Sequence, residues 1–133
     1  MRVFFYLIAF VVSFSTYAQD EYTVLVDDEM VIVSYQLLEV KKKGALIPEI
    51  RLSIHNKSEQ LVQVSFELNL RYDMEFAEGT KVTRICIDAG KTKKGKTKGL
   101  FYNPDSLTIA QLKSEDFELY LDELKVVSVA KCK

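Results

Sequence analysis

The sequence predicts an all-β protein, an antiparallel β-sandwich of seven or eight short strands. Three observations carry this expectation. First, residues 62–72 alternate strictly: Val62, Val64, Phe66, Leu68, Leu70 and Tyr72 fall on one phase, and Gln63, Ser65, Glu67, Asn69 and Arg71 on the other. A period of two belongs to a half-buried strand, whereas a helix would spread these apolar residues around its whole circumference. Second, turn-forming clusters recur between runs of this kind, at Asn56-Lys57-Ser58-Glu59, Glu78-Gly79, Ala89-Gly90 and Asn103-Pro104-Asp105. Third, only residues 106–113 offer apolar positions at helical spacing, for a turn or two, and a short strand suits them nearly as well. Alternating strands imply antiparallel sheets with one wet face, and many short strands without helices imply a sandwich or small barrel.

Taken in order, residues 22–26 form a short first strand. Residues 30–40 are rich in β-branched and aromatic side chains and run into Lys41-Lys42-Lys43-Gly44. Ile50, Leu52 and Ile54 point inward, opposite Arg51, Ser53 and His55, and the polar residues 56–59 join this strand to 62–72 as a hairpin or a tight connection. Residues 80–88 and 99–102 supply two more strands. Phe117, Leu119 and Leu121 alternate with Glu118, Tyr120 and Asp122, and residues 124–130 end the fold with a bulge at Val126-Val127.

The N-terminus reads as an address. Arg2 is followed by a nearly unbroken apolar run over residues 3–14, and Thr16 and Ala18 stand at the −3 and −1 positions of a signal-peptidase site. A membrane span needs about 20 apolar residues. The 12-residue run is too short for one, and no second long apolar segment follows. Residues 1–18 are therefore expected to be a cleaved signal peptide, and residues 19–133 a single exported domain, secreted or periplasmic. No cysteine near the cleavage point offers a lipid attachment site. Without Arg2, 17 Lys and Arg stand against 19 Asp and Glu, a net charge of −2. That balance argues against a nucleic-acid binder, which carries a basic excess.

Export also bears on Cys86 and Cys132, the two cysteines of the chain. In an oxidising compartment they are expected to pair, closing a loop over most of the C-terminal half. A free thiol or an intermolecular bridge is the alternative.

The run EIRLSIHNKS at 49–58, followed by LVQVSFEL at 61–68, resembles the B-turn-C part of small immunoglobulin-like sandwiches in secreted bacterial proteins. The resemblance implies the fold and no activity. The chain departs from the immunoglobulin hallmark in having no Trp, and its cysteines lie outside the strands that carry the hallmark pair.

The search for chemistry finds no catalytic constellation. His55 is the single histidine, on the outward phase beside a turn; a triad or zinc site needs partners at readable spacing, and none is present. No P-loop, no Gly-x-Ser-x-Gly and no His-Glu-x-x-His occurs. Carboxylates gather at Asp27-Asp28-Glu29 and at Asp73, Glu75 and Glu78, without the regular spacing and glycine of a calcium loop. No cofactor or metal is expected.

The most distinctive stretch runs from Lys91 to Gly99, where Lys91, Lys93, Lys94, Lys96 and Lys98 occur without an acid. One reading is a flexible basic loop that meets a polyanion: phosphorylated lipid, acidic polysaccharide or nucleic acid. The other is a solvated loop whose charges block edge-to-edge pairing of strands. Asn56-Lys57-Ser58 is a glycosylation sequon, and Tyr120 is an exposed aromatic on the polar phase of its strand. The reading that follows is a non-enzymatic β-sandwich that binds or scaffolds an envelope component. Its alternatives are a binder of anionic envelope components through residues 91–98 and a small carboxylate-dependent hydrolase.

Overall fold

The strict alternation of residues 62–72 becomes the middle strand of a three-stranded sheet. In the computed structural model, which describes residues 22–95 and 99–132, eight strands form two antiparallel sheets. Sheet A contains β1 (Thr23–Asp27), β2 (Val31–Lys42) and β3 (Ala45–Asn56), with β6 (Thr92–Lys94) and β7 (Phe101–Tyr102) both pairing β3 on its far side. Sheet B has the order β5 (Glu75–Ile87), β4 (Val62–Tyr72), β8 (Phe117–Ser128). The expected signal peptide, residues 1–18, lies outside the described residues, as do Lys96 and Lys98.

The core forms where the inward phases of the two sheets meet. Val31, Val33, Ile50, Leu52 and Ile54 of sheet A pack with Val62, Val64, Phe66, Leu68, Leu70, Val82 and Ile87 of sheet B, all buried. Burying a side chain of this size stabilises the fold by roughly 1.5–3 kcal/mol relative to leaving it exposed.

Two-residue turns close the β2–β3 and β4–β5 hairpins. Lys43 and Gly44 between β2 and β3 both have positive φ, and so do Asp73 and Met74 between β4 and β5. This is the handedness that matches the twist of paired strands. Gly79 has a different reason: a Cβ there would stand 2.5 Å from Asn69 Oδ1 and 3.0 Å from the Leu68 carbonyl.

The connection from β3 to β4 is not a hairpin. β3 and β4 lie in different sheets, so residues 57–61 cross between them. Asn56 holds this corner. Its Nδ2 donates to the carbonyls of Gln60 (2.7 Å) and Ile87 (3.0 Å), and its Oδ1 accepts from the Ser58 amide (2.9 Å) and hydroxyl (2.7 Å). The residue is fully buried. The sequon at 56–58 is therefore no accessible acceptor in the folded protein.

Three further expectations are corrected. The two C-terminal strands are one, β8, and its bulge lies at Glu123, where φ is positive and the register against β4 shifts, rather than at Val126-Val127. β5 bulges at the same level on the other side of β4, at Arg84, whose amide donates to Ser65 Oγ (3.0 Å). Phe66 thus sits between two bulges, which bend both flanking strands away from a flat edge. Thirdly, part of the lysine run is a strand rather than a loop, because Thr92–Lys94 completes sheet A against Ser53–His55.

The expected helix is the single turn α1 (Ile109–Leu112), held by a capping box between Thr108 and Gln111. Cys86 and Cys132 are bridged, with Cα atoms 6.0 Å apart. The bridge links the end of β5 to the tail beyond β8, across the start of β4.

Candidate functional site

The solvent face of sheet A gathers the residues that bear on binding. On β3, Glu49, Arg51, Ser53 and His55 occupy the outward phase. Register places Gln36 of β2 and Phe101 of β7 directly beside Arg51, and Ser34 and Lys94 beside Ser53. The chain leaves the edge of β3 at Gly95 and returns at Leu100: the Gly95 amide donates to the Leu52 carbonyl (3.1 Å), and the Leu52 amide to the Leu100 carbonyl (2.8 Å). This brings Lys91, Lys93 and Lys94 onto the sheet edge, all exposed.

An outward face is normally wet, yet Ser34, Gln36 and Glu49 are buried, each 8% exposed or less. Long side chains from opposite edges of the sheet meet above the middle strands, with Lys94 Nζ 5.9 Å from the centre of the Tyr22 ring. Glu49 accepts a 2.6 Å ion pair from Arg51 Nε and a 3.4 Å hydrogen bond from Asn103 Nδ2. Lys42 donates to Asn103 Oδ1 (3.0 Å) and stands 5.8 Å from the centre of the Phe101 ring. Lys42, Glu49, Arg51, Gly95 and Phe101 line a cavity of about 290 Å³. Gln36 Nε2 is buried and has no hydrogen-bond partner.

The remaining sequence candidates have structural work. His55 Nδ1 hydrogen bonds Thr92 Oγ1 (2.7 Å), joining β3 to β6. Asp28 Oδ1 accepts from the amides of Met30 (2.8 Å) and Val31 (2.9 Å) and so shapes the β1–β2 turn, while Asp27 pairs with Lys57 (2.6 Å). Asp73 lies in a turn, and Glu75 and Glu78 are in β5. Among the described residues, no group of His, Cys, Asp and Glu could hold a metal ion. Tyr120 lies under Arg71, whose guanidinium carbon is 4.9 Å from the ring centre on the outer face of sheet B.

Glu78 is a clasp between the two sheets. Its carboxylate accepts from the Tyr102 hydroxyl, the Ser106 hydroxyl, the Ser106 amide (2.7 Å) and the Asp105 amide (3.2 Å). Burial alone would raise its pKa, but these hydrogen bonds outweigh burial and hold it below the ordinary 4.5. Burial, reinforced by the Glu78 carboxylate, pushes the Tyr102 hydroxyl up, so it stays a donor. A carboxylate with a depressed folded pKa contributes stability above its unfolded pKa, and loses it as pH falls through the folded value. Wild type should therefore lose more melting temperature than Glu78→Gln when pH drops from 7 to 3. At pH 7 the substitution should cost about 1–2 kcal/mol. Parallel acid sensitivity of the two proteins would remove this role.

Nothing in this arrangement points to catalysis. Glu78, the carboxylate with a perturbed pKa, is saturated with donors that tie the two sheets together. Compared with known proteins, the chain matches no family model, no curated protein and no solved structure. Fold and site define an all-β, disulfide-bridged domain of two antiparallel sheets, with Lys42, Arg51, Lys93 and Lys94 on the outer face and edge of one of them.

Proposed function

We propose that the chain is an exported, non-enzymatic binding module of the cell envelope that presents sheet A to an anionic partner. The immunoglobulin-like reading belongs to this proposal. Sheet A carries β2, β3 and the β6–β7 pair in the A-B-E order of such folds, and sheet B carries β5, β4 and β8 in the C′-C-F order. The β3–β4 crossover stands where those folds cross from B to C. The disulfide ties β5 of sheet B to the tail after β8 rather than joining the two sheets, and no described strand occupies the G position.

One observation carries the binding reading: the asymmetry of charge between the two sheets. The strands of sheet A hold Lys41, Lys42, Arg51, Lys93 and Lys94 against Asp27, Glu39 and Glu49, with Lys43 and Lys91 just outside them, whereas those of sheet B hold Arg71, Lys81, Arg84 and Lys125 against Glu67, Glu75, Glu78, Glu118, Asp122 and Glu123. With a net charge near zero, such a distribution orients the molecule toward a polyanion instead of merely attracting it. Pairing lysine-bearing β6 against β3 also places the charges on an edge, where they discourage edge-to-edge association. That structural role needs no ligand, so binding is what separates the two readings.

On a sulfated polysaccharide resin at low ionic strength, wild type should be retained and elute with salt. Replacing Lys91 and Lys93 by Ala should lower the slope of log affinity on log salt by about 1–2. Replacing Lys81 and Lys125 on sheet B should leave retention unchanged. Absence of retention at low salt, or equal loss from both pairs, would refute the reading.

A further inference from the structure

We infer that the cavity between Arg51, Lys42 and Phe101 is a subsite for one oxyanion-bearing sugar ring, such as a uronic acid of an acidic polysaccharide. The inference rests on the anionic-partner reading above for its class of partner, and it assigns a separate, stereospecific contact beside the lysine edge.

The argument begins with unmatched donors. Arg51 spends its Nε on Glu49, and its two terminal nitrogens have no partner among the described residues. Lys42 uses one N–H on Asn103. Gln36 Nε2, directly across the strand pair from Arg51 and behind the cavity's lining, is buried and unpartnered. Buried polar groups are ordinarily satisfied, and an orphan calls for an explanation. This part of the face has a surplus of donors and needs acceptors. A carboxylate or sulfate supplies acceptor oxygens without adding a donor, and a guanidinium fork matches a carboxylate through two parallel hydrogen bonds.

Glu49 explains why the fork is available. It is 5% exposed on a face that could have been wet, and burying a carboxylate is costly unless it is paired. Its pairing with Nε fixes the plane of the guanidinium and leaves the terminal nitrogens for an incoming group. Glu49 also brings negative charge to the wall, so the cavity carries a net charge of only about +1 from its three ionised groups. That modest charge favours a single oxyanion over a densely charged polyphosphate. Phe101, 41% exposed, gives an apolar wall for the carbon face of a sugar. A volume of about 290 Å³ is at the lower limit of the range of roughly 300–1,000 Å³ for small-molecule sites. It suits one ring rather than an extended chain.

The test is calorimetry at 150 mM salt, about the ionic strength where exposed charges are screened beyond roughly 8 Å. Short oligogalacturonates, dextran sulfate fragments and neutral galactan oligomers are the probes. Wild type should bind at least one of the two anionic probes and not the neutral one. A carboxylate source is read from the first probe and a sulfate ester from the second. Arg51→Lys keeps the charge but loses the fork, and should weaken binding about tenfold or more. Phe101→Ala, at an exposed position, should weaken it as well, with an unchanged melting temperature as the control for folding. Replacing Lys91 and Lys93 by Ala should leave this binding intact while reducing retention on the resin. Failure of that resin experiment alone removes the polyelectrolyte reading and leaves the subsite. Equal binding of the neutral probe, no binding of either anion, or wild-type affinity in both cavity variants would overturn the subsite.

Discussion

Replacing Cys86 and Cys132 together by Ser is expected to cost about 4 kcal/mol. The bridge closes a loop over a sequence separation of 46 residues, and the chain entropy withheld from the unfolded state by a loop of that length is about 4 kcal/mol. For a domain of this size, that corresponds to a fall in melting temperature on the order of 15–30 °C. Geometry concentrates the effect in sheet B. The bridge joins the end of β5 to the tail after β8, which is also tied by the Val129 amide to the Leu61 carbonyl (3.0 Å). Cys132 is exposed, so a reductant reaches it in the folded protein. Chemical denaturation with and without dithiothreitol should show the same loss as the double substitution. Identical unfolding midpoints would contradict the entropic role of the bridge.

The second large effect is at Asn56. Substitution by Ala leaves the Ile87 and Gln60 carbonyls and the Ser58 amide without their side-chain partner at a fully buried position. Each buried polar group stranded in this way costs about 1–3 kcal/mol. A loss of about 3 kcal/mol is expected, since Gln60 and Ser58 are near enough to solvent to recover water. Asn56→Asp should be at least as damaging at neutral pH: it keeps an acceptor for Ser58 but turns a second acceptor toward the two carbonyls. It should recover partially when the carboxyl is protonated. Urea denaturation at pH 7 and pH 4 measures both variants. An Asp variant as stable as wild type at pH 7 would show that the amide donors hold nothing at this corner.

Much of the fold was legible because it depends on short-range periodicity. β4 occupies residues 62–72, as its alternation predicts, since every second residue meets the opposite sheet. The bulges were legible in principle. Val82 to Ile85 and Leu121 to Leu124 are inward residues three apart, and a spacing of three within a period of two means one extra residue. The adjacent valines Val126-Val127 break the apolar–polar pattern more visibly, but Val126 keeps the inward phase already set by the bulge at Glu123 and Val127 is exposed. β6 was not legible, because Thr92-Lys93-Lys94 has no apolar residue and is a strand only through its pairing with β3.

The crossover after β3 shows another limit. A turn-forming sequence is compatible with a hairpin and with a change of sheet, and the choice is made by buried bonds from Asn56 to Ile87, 31 residues away. The candidate site was hidden for the same reason. Glu49 and Arg51, two apart on one strand phase, could be read as neighbours. Gln36, Lys42 and Phe101 join them only through register across β2, β3 and β7. The lysine run was conspicuous, but the fixed guanidinium beside it carries more stereochemical information.

The central claim is that anions meet this domain on sheet A. Amide chemical-shift mapping during titration with an oligogalacturonate or a sulfated oligosaccharide tests it most directly. Saturable shifts confined to Lys42, Arg51, Lys93, Lys94, Gly95, Phe101 and their strand neighbours are the predicted result. Shifts centred on the outer face of sheet B, around Arg71, Lys81 and Tyr120, or a spectrum unchanged at low salt, would contradict it.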